Sequence, residues 1–160
     1  MRGHAVLMSS ARDDWETPDD LFTRYRREFD LCVDVAASRE NRKLPEYFGP
    51  DHVHSEKRNG LAADWSQFGS RSRCWMNPPY SRGLQAAFLR KAAHERLRGV
   101  LTVALVPART DTRVVHEVIY DASRWQTRPG IEIRFLPGRI TFVGADSCAP
   151  FPSMIVVFRP

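Results

Sequence analysis

The tetrapeptide Asn77-Pro78-Pro79-Tyr80 constrains the fold of this chain more than any other stretch. It follows a short apolar run, residues 74–76, which has the character of a buried strand end. Neither proline has an N–H group to donate, so a strand cannot continue through the pair. The strand is therefore predicted to end in a stiff turn that presents an amide, carbonyl groups and an aromatic ring. In an open α/β sheet, the carboxyl edge of the strands is where ligands bind.

Strand-like and helix-like segments alternate along the chain. Apolar runs predict buried strands at 31–37, 73–76, 100–106, 131–136, 140–143 and 154–158. Apolar residues at helical spacing predict helices over 17–29, 84–98 and 111–120. The first helix is expected to begin with Thr17 as N-cap and Pro18 in the first helical position. Together these segments predict an α/β fold, a Rossmann-like three-layer sandwich with a mostly parallel sheet and a C-terminal antiparallel hairpin.

Length and composition indicate one soluble globular domain. The chain has 160 residues, of which 42% are hydrophobic and 27% charged. Residues 1–14 are expected to form a flexible N-terminal arm and residues 15–160 a single domain. No apolar run is long enough to span a membrane, and the apolar patch near the start is too short for an export signal. The chain is therefore expected in the cytoplasm.

The charge balance favours a polyanionic partner. Lys and Arg total 24 against 19 Asp and Glu, which gives a net charge of +5 and fits nucleic acid without requiring it. The loops at 38–60, 81–83 and 121–130 are the candidates for contacts to phosphates, although ordinary solvated surface charge accounts for most of their basic residues equally well. Their basic residues are Arg39, Arg42, Lys43, Lys57, Arg58, Arg82, Arg124 and Arg128.

The three cysteines, Cys32, Cys74 and Cys148, are odd in number and widely separated. This pattern predicts reduced packing residues rather than a disulfide framework. No Cys and His residues have the spacing of zinc ligands, so no metal is expected.

With these positions placed, the chain resembles the phage-type, Dam-like DNA adenine-N6 methyltransferases, which depend on S-adenosylmethionine. The resemblance covers roughly residues 15–158 and rests on the order and spacing of seven motifs together. The motifs are Trp15-x-Thr17-Pro18, Asp34-Val35-Ala36-Ala37-Ser38, Gly60-Leu61-x-x-Asp64-Trp65, Asn77-Pro78-Pro79-Tyr80, Pro107-Ala108-Arg109-x-Asp111-Thr112, Gly138-Arg139-Ile140-x-Phe142 and Phe151-Pro152-Ser153. The resemblance implies methyl transfer to the exocyclic N6 amine of adenine in duplex DNA, inside a bacterial or phage-infected cell, with the base flipped into a pocket.

The resemblance also implies roles for individual residues. The catalytic pocket would be formed by Asn77, Pro78, Pro79 and Tyr80, with the tyrosine ring stacked on the target base. The cofactor site would include Trp15, Thr17, Pro18, Asp34, Ala36, Asp64 and Trp65. Asp34 would stand at the methionine end of the cofactor, and Asp64 would accept a hydrogen bond from the adenosine amine. Arg109 and Asp111 have no implied role, and an internal ion pair accounts for them equally well.

The chain departs from many methyltransferases after its first predicted strand. Ala36, Ala37 and Ser38 stand where a glycine-rich loop often lets the backbone approach the cofactor. This departure leaves open an inactive nucleic-acid-binding protein of the same fold. A second alternative keeps the catalyst and changes the planar amine, to an RNA base or a protein glutamine amide. No pattern in the chain indicates the oligomeric state.

Overall fold

The structure is a computed structural model that describes residues 15–160, so the predicted N-terminal arm, residues 1–14, lies outside it. The described part contains three α-helices, α1 (Asp19–Phe29), α2 (Arg82–Arg96) and α3 (Arg113–Val118). Its strands are β1 (Val33–Asp34), β2 (Glu46–Tyr47), β3 (Arg73–Met76), β4 (Leu101–Pro107), β5 (Tyr120–Asp121), β6 (Gln126–Thr127), β7 (Ile131–Phe135) and β8 (Ser153–Phe158). Short 3₁₀ helices span Ser55–Lys57 and Trp65–Arg71.

The main sheet has six strands in the order β2-β1-β3-β4-β8-β7. The first four strands in this order are parallel, and β8 is antiparallel to both of its neighbours, β4 and β7. The prediction of a mixed α/β fold with a mostly parallel sheet is confirmed. Because parallel strands end at the same side, the residues that follow β1, β3 and β4 meet at one edge of the sheet.

Side chains of the central strands alternate between the two faces of the sheet and form two hydrophobic clusters. On one face, Met76 belongs to the same cluster as Leu89 of α2. On the other face, Trp75 packs with Phe22 and Tyr25 of α1. Burial on both faces explains why the sequence of β4 is almost continuously apolar.

The start of α1 differs from the prediction. The helix begins at Asp19, so Pro18 occupies the N-cap position and no side chain caps the helix. The hydroxyl predicted to cap it, Thr17 Oγ1, instead accepts a hydrogen bond from Asn77 Nδ2 at 3.1 Å. Asp19 and Asp20 do lie in the first turn, where the helix dipole favours negative charge.

The C-terminal third of the chain differs more from the predicted secondary structure than the start of α1 does. Although β7 and β8 are antiparallel neighbours, residues 136–152 join them as a long connection in which the predicted strand at 140–143 does not form. Phe142 in this connection is buried against the rings of Trp15 and Tyr80 rather than in a sheet. The small β5–β6 sheet lies at 120–127, where a loop was expected from residue 121 onwards.

The cysteine prediction is partly correct. All three cysteines are free, and Cys74 is fully buried, while Cys32 is half-buried. Cys148 is exposed, so its assignment as a packing residue is wrong. Within residues 15–160, no group of three or more His, Cys, Asp or Glu side chains could hold a metal ion. No helix there has the length and apolar character needed to cross a membrane.

Candidate active site

A cavity of about 540 Å³ opens at the carboxyl edge of β1 and β3. This volume falls within the range of small-molecule sites, roughly 300–1,000 Å³. The walls come from the segment before α1, the connections after β1 and β2, and the turn between β3 and α2. Six of the eleven predicted site residues line it, namely Trp15, Thr17, Asp34, Ala36, Asn77 and Pro79. Pro18, Pro78 and Tyr80 are chain neighbours of these lining residues.

The side-chain amide of Asn77 is held from both ends. Its Nδ2 donates to the Trp15 carbonyl oxygen and to Thr17 Oγ1, while its Oδ1 accepts from the Tyr80 hydroxyl at 2.8 Å. A backbone carbonyl can only accept, so its contact identifies which end of the amide is the nitrogen. An amide oxygen has two lone pairs, so Oδ1 can accept a second hydrogen bond at the cavity rim.

The Tyr80 side chain lies behind Asn77 and not in the cavity. It is 2% exposed, and its ring packs edge-on against Phe142 and Phe151, with centroid separations of 6.1 and 5.6 Å. Burial raises the pKa of its phenol, which keeps the hydroxyl protonated and able to donate. The ring face is not presented to the cavity, so stacking of Tyr80 on a base does not describe this structure.

Asp34 ends β1 with a carboxylate that is buried beside the cavity. Its two oxygens accept from the backbone N–H groups of Ala36 at 3.4 Å and Lys43 at 3.0 Å. Burial raises the pKa of Asp34 to about 6, although these hydrogen bonds act to lower it. The Lys43 ammonium forms ion pairs elsewhere, with Glu16 at 2.9 Å and Asp19 at 2.7 Å. Among the described residues, Asp34 therefore has no ion-pair partner.

Two glycines from other loops pack against the segment that follows β1. A Cβ atom at Gly49 would lie 1.6 Å from the Ala37 carbonyl oxygen, and one at Gly60 would lie 2.1 Å from the Val35 carbonyl oxygen. Any other residue type would therefore displace this segment, and both glycines line the cavity. The two glycines therefore let loops from distant places in the chain pack directly against the backbone that follows β1.

The structure does not bring Asp64 or Trp65 to the cavity wall. The Asp64 side chain is exposed, caps the following 3₁₀ helix through Ser66 N at 2.9 Å, and pairs with Arg98 at 3.1 Å. Trp65 is fully buried, and its Nε1 donates to the Gly60 carbonyl oxygen at 2.7 Å. Trp65 therefore contacts the cavity indirectly, by fixing a residue of its wall.

Arg109 contacts the site in a way that no sequence signal indicated. Its guanidinium donates to the Tyr80 carbonyl oxygen at 3.3 Å. Asp111 is exposed, and no ion pair joins it to Arg109 in the part of the chain that the structure describes. The expected internal ion pair is therefore not formed.

Several wall residues were missed because they lie in segments expected to be irregular or helical. These residues are Glu16, Asn41, Lys43, Phe48, Gly49, Pro50, Arg58, Asn59, Leu84 and Phe88. Within the 38–60 segment, Tyr47 and Phe48 are both buried. These two adjacent aromatic residues in a polar stretch are the sequence signal that the segment returns to the sheet, which it does as β2.

This fold and this site are those of an α/β protein that has a cavity of small-molecule size at the carboxyl edge of its parallel strands, with the Asn77 amide in its wall. The chain belongs to the family of adenine-specific DNA methyltransferases described as DNA N-6-adenine-methyltransferase (Dam), whose sequence model matches residues 4–160. The predicted resemblance to this family is confirmed.

Two phage proteins illustrate the similarity. The DNA N-6-adenine-methyltransferase of Haemophilus phage HP1 (strain HP1c1) is 27% identical over 159 residues, which is 94% of this chain and 81% of that protein. The DNA N-6-adenine-methyltransferase of Escherichia phage T1 is 32% identical over 107 residues. That alignment covers 64% of this chain and 39% of the T1 protein.

Proposed function

We propose that this protein transfers a methyl group from S-adenosylmethionine to the N6 amine of adenine in DNA. The observation that carries the proposal is that the Asn77 amide and the buried Asp34 carboxylate line one cavity of about 540 Å³ at the carboxyl edge of the sheet. Family membership supports the reaction. We further propose that residues 15–160 form one Rossmann-like, three-layer methyltransferase domain, and that it acts in the cytoplasm of a bacterial or phage-infected cell.

The cavity suits this cofactor on chemical grounds. A buried carboxylate is costly unless a cation or hydrogen-bond donors compensate it, and Asp34 has two backbone donors but no ion pair within the described residues. S-adenosylmethionine carries an ammonium and a sulfonium, and when bound it supplies an electrophilic methyl group. Asp34 is the group suited to hold the positively charged methionine end of the cofactor.

The remaining cofactor contacts would come from two segments of the cavity wall. Trp15 and Thr17 line the cavity just before α1, with Pro18 next in the chain, and Ala36 lines it after β1. Trp65 would act through Gly60, whose carbonyl oxygen it holds. Asp64 would reach the adenosine amine of the cofactor if the 61–64 turn shifted toward the cavity.

The turn after β3 carries the two hydrogen-bond acceptors that the reaction at the N6 amine of adenine would require. The N6 lone pair of adenine is delocalised into the ring, which makes the amine a poor nucleophile. If Asn77 Oδ1 and the Pro78 carbonyl oxygen accept its two hydrogens, the nitrogen can become tetrahedral and its lone pair is freed. The same acceptors stabilise the positive charge that develops on the amine. In duplex DNA the base must first be flipped out, which costs a few kcal/mol.

Asn77→Ala tests the proposal because it removes the acceptor Oδ1, and with it the Nδ2 hydrogen bonds to Trp15 and Thr17. We expect methyl transfer at saturating cofactor to fall at least about a hundredfold, while the cofactor dissociation constant changes by a much smaller factor because Asp34 is untouched. Transfer of labelled methyl to unmethylated duplex DNA, followed by nucleoside analysis, measures the first quantity, and calorimetric titration measures the second. Gln126→Ala, which removes an exposed amide on β6, is the matched control.

The outcomes separate the alternatives. Label on the N6 amine of adenine that disappears in Asn77→Ala supports the proposal, whereas a variant that keeps most of its rate excludes the role of Asn77. Cofactor binding without transfer to DNA would direct the search to RNA bases and glutamine amides. Absence of both transfer and cofactor binding would favour the inactive nucleic-acid-binding protein.

A further inference from the structure

Four aromatic rings form a cluster behind the Asn77 amide. The ring of Trp15 lies 5.1 Å from that of Phe142 and 5.4 Å from that of Phe151, between centroids. The ring of Tyr80 packs edge-on against the same two phenylalanines. Phe142 and Phe151 belong to the motifs at 138–142 and 151–153, for which the proposed reaction gives no role. In the structure, these two motifs contribute their phenylalanines to the aromatic cluster.

The hydroxyl of Tyr80 is the polar end of this apolar cluster. It lies 2.8 Å from Asn77 Oδ1 and 3.5 Å from the Leu105 carbonyl oxygen. A phenol has one proton to donate, and the shorter contact is the well-formed hydrogen bond. The Tyr80 backbone is held independently, because Arg109 donates to its carbonyl oxygen at 3.3 Å.

We propose that Tyr80 is a positioning residue whose hydroxyl, held in place by Trp15, Phe142 and Phe151, fixes the Asn77 amide in the orientation that presents Oδ1 to the target amine. The inference rests on the proposed function of Asn77 as the acceptor. Rotation of the amide about its last side-chain bond would break the Tyr80 contact and the two contacts of Nδ2 together. The hydroxyl is therefore the part of Tyr80 that orients the amide.

Tyr80→Phe distinguishes positioning of Asn77 by the hydroxyl from stacking of the ring on the base, because it deletes the hydroxyl and keeps the ring. We expect single-turnover methyl transfer at saturating cofactor and DNA to slow roughly tenfold, the loss typical of one hydrogen bond, with both dissociation constants unchanged. Tyr25→Phe is the matched control, because Tyr25, which lies on α1, is equally buried but packs against Trp75 of β3. A ring that acts by stacking on the base would leave Tyr80→Phe at the wild-type rate, and that result would overturn the inference.

The side-chain amide of Asn77 provides a second readout that does not require activity. Its ¹H–¹⁵N signals are identified as those lost in Asn77→Ala, and in the wild-type protein their hydrogens should exchange slowly because both contact acceptors. In Tyr80→Phe we expect these signals to shift and to exchange faster, while Tyr25→Phe leaves them unchanged. Unaltered Asn77 signals in Tyr80→Phe would overturn the positioning role. Wild-type protein that transfers no methyl group would instead refute the proposed function, while the amide signals still decide the positioning role.

A third variant covers the case in which Tyr80→Phe does not fold. Phe151→Leu keeps the hydroxyl and removes one aromatic neighbour of Tyr80. We expect the same loosening of the Asn77 amide to a smaller degree, seen as faster exchange of its hydrogens. Exchange at the wild-type rate in this variant would show that the aromatic cluster does not hold the hydroxyl.

Discussion

At the scale of single residues, Asp34 gives the cavity a titrating group close to neutral pH. Its carboxylate is 3% exposed, and burial raises its pKa to about 6. A positively charged ligand beside it favours the ionised form, so binding should draw the pKa back down and release a proton. Cofactor affinity and protein stability should therefore both depend on pH through this one residue.

The first prediction concerns cofactor affinity. Because the ionised carboxylate is the binding form, the association constant for S-adenosylmethionine should rise about tenfold between pH 5 and pH 7 and level off above the pKa of about 6. Titration calorimetry across this range in two buffers of different ionisation enthalpy would reveal both the rise and the released proton. Asp34→Asn should bind at least about tenfold more weakly at pH 7.5 and show a flat profile. A flat profile in the wild-type protein would remove Asp34 from the cofactor site.

The second prediction concerns stability without ligand. The folded-state pKa of Asp34 lies above the value of 3.8 for an unperturbed Asp, so its contribution to stability is complete below pH 4 and is lost as pH rises through 6. Between pH 4 and pH 7.5, the free energy of unfolding of Asp34→Asn should gain up to about 3 kcal/mol relative to wild type. Urea unfolding at both pH values measures this difference. Asp20→Asn, an exposed control, should show no comparable change.

Residue roles were predictable where they depend on local sequence and not where they depend on distant partners. The Asn-Pro-Pro-Tyr turn was located correctly because two prolines end a strand wherever they occur. The hydroxyl of Thr17 was misassigned to a helix cap, because its actual partner, Asn77, lies 60 residues away. The position of Tyr80 depends in the same way on Phe142 and Phe151. No spacing rule relates such pairs before the fold is known.

At the scale of elements, the loop that precedes the second 3₁₀ helix shapes the cavity through one glycine. The Gly60 carbonyl oxygen accepts from the buried Trp65 indole at 2.7 Å, and its missing Cβ leaves room for the Val35 carbonyl oxygen. The Gly60–Trp65 motif therefore acts as a spacer between β1 and the 3₁₀ helix.

The third prediction tests this spacer. In Gly60→Ala a methyl group would meet the Val35 carbonyl oxygen at 2.1 Å, so the backbone after β1 or the loop that carries Gly60 must move, and both line the cavity. We expect a loss of about 1–3 kcal/mol in unfolding free energy and at least tenfold weaker cofactor binding. Gly83→Ala is the matched control, because a Cβ there meets nothing within 4 Å and alanine favours a helix. Equal behaviour of the two variants in denaturant unfolding and calorimetry would contradict the spacer role.

Elements with their own hydrophobic periodicity were predicted well, and elements defined by tertiary contacts were not. β3, β7 and the body of α2 match their predicted spans closely, since each carries its own pattern of apolar residues. The segment 140–143 has the alternation of a strand, but its Phe142 packs in the aromatic cluster and Val143 N donates to the Glu16 carbonyl oxygen. Two-residue strands such as β2 and β5 are too short to leave a pattern.

At the scale of the whole molecule, several of the 24 Lys and Arg side chains are already paired with acids, so the net positive charge is carried by the others. The basic residues paired with acids in the described part include Lys43, Lys57, Arg90, Lys91, Arg98, Arg134 and Arg159. Arg39 and Arg42 are exposed on the connection that follows β1, next to the cavity wall, and neither has an ion pair there. We therefore expect these two side chains to meet phosphates of DNA.

The fourth prediction uses salt to locate this contact. Each phosphate neutralised by a basic side chain adds about 0.9 to the slope of log affinity against log salt. Arg39→Ala should therefore lower that slope by about 1 for duplex DNA, whereas Arg27→Ala should leave it unchanged.

Arg27→Ala is the matched control, because it also removes one positive charge. Arg27 lies near the C-terminal end of α1, where the Phe29 carbonyl oxygen accepts from Arg73 at the amino end of β3. This is the opposite end of β3 from the cavity. Fluorescence anisotropy with a labelled duplex measures the affinity. Titrations between about 50 and 200 mM salt then give the slope of log affinity against log salt for each variant. Equal slopes for the two variants would show that DNA responds to the net charge of the molecule, and the cavity edge would then lose its assignment as the DNA-facing side.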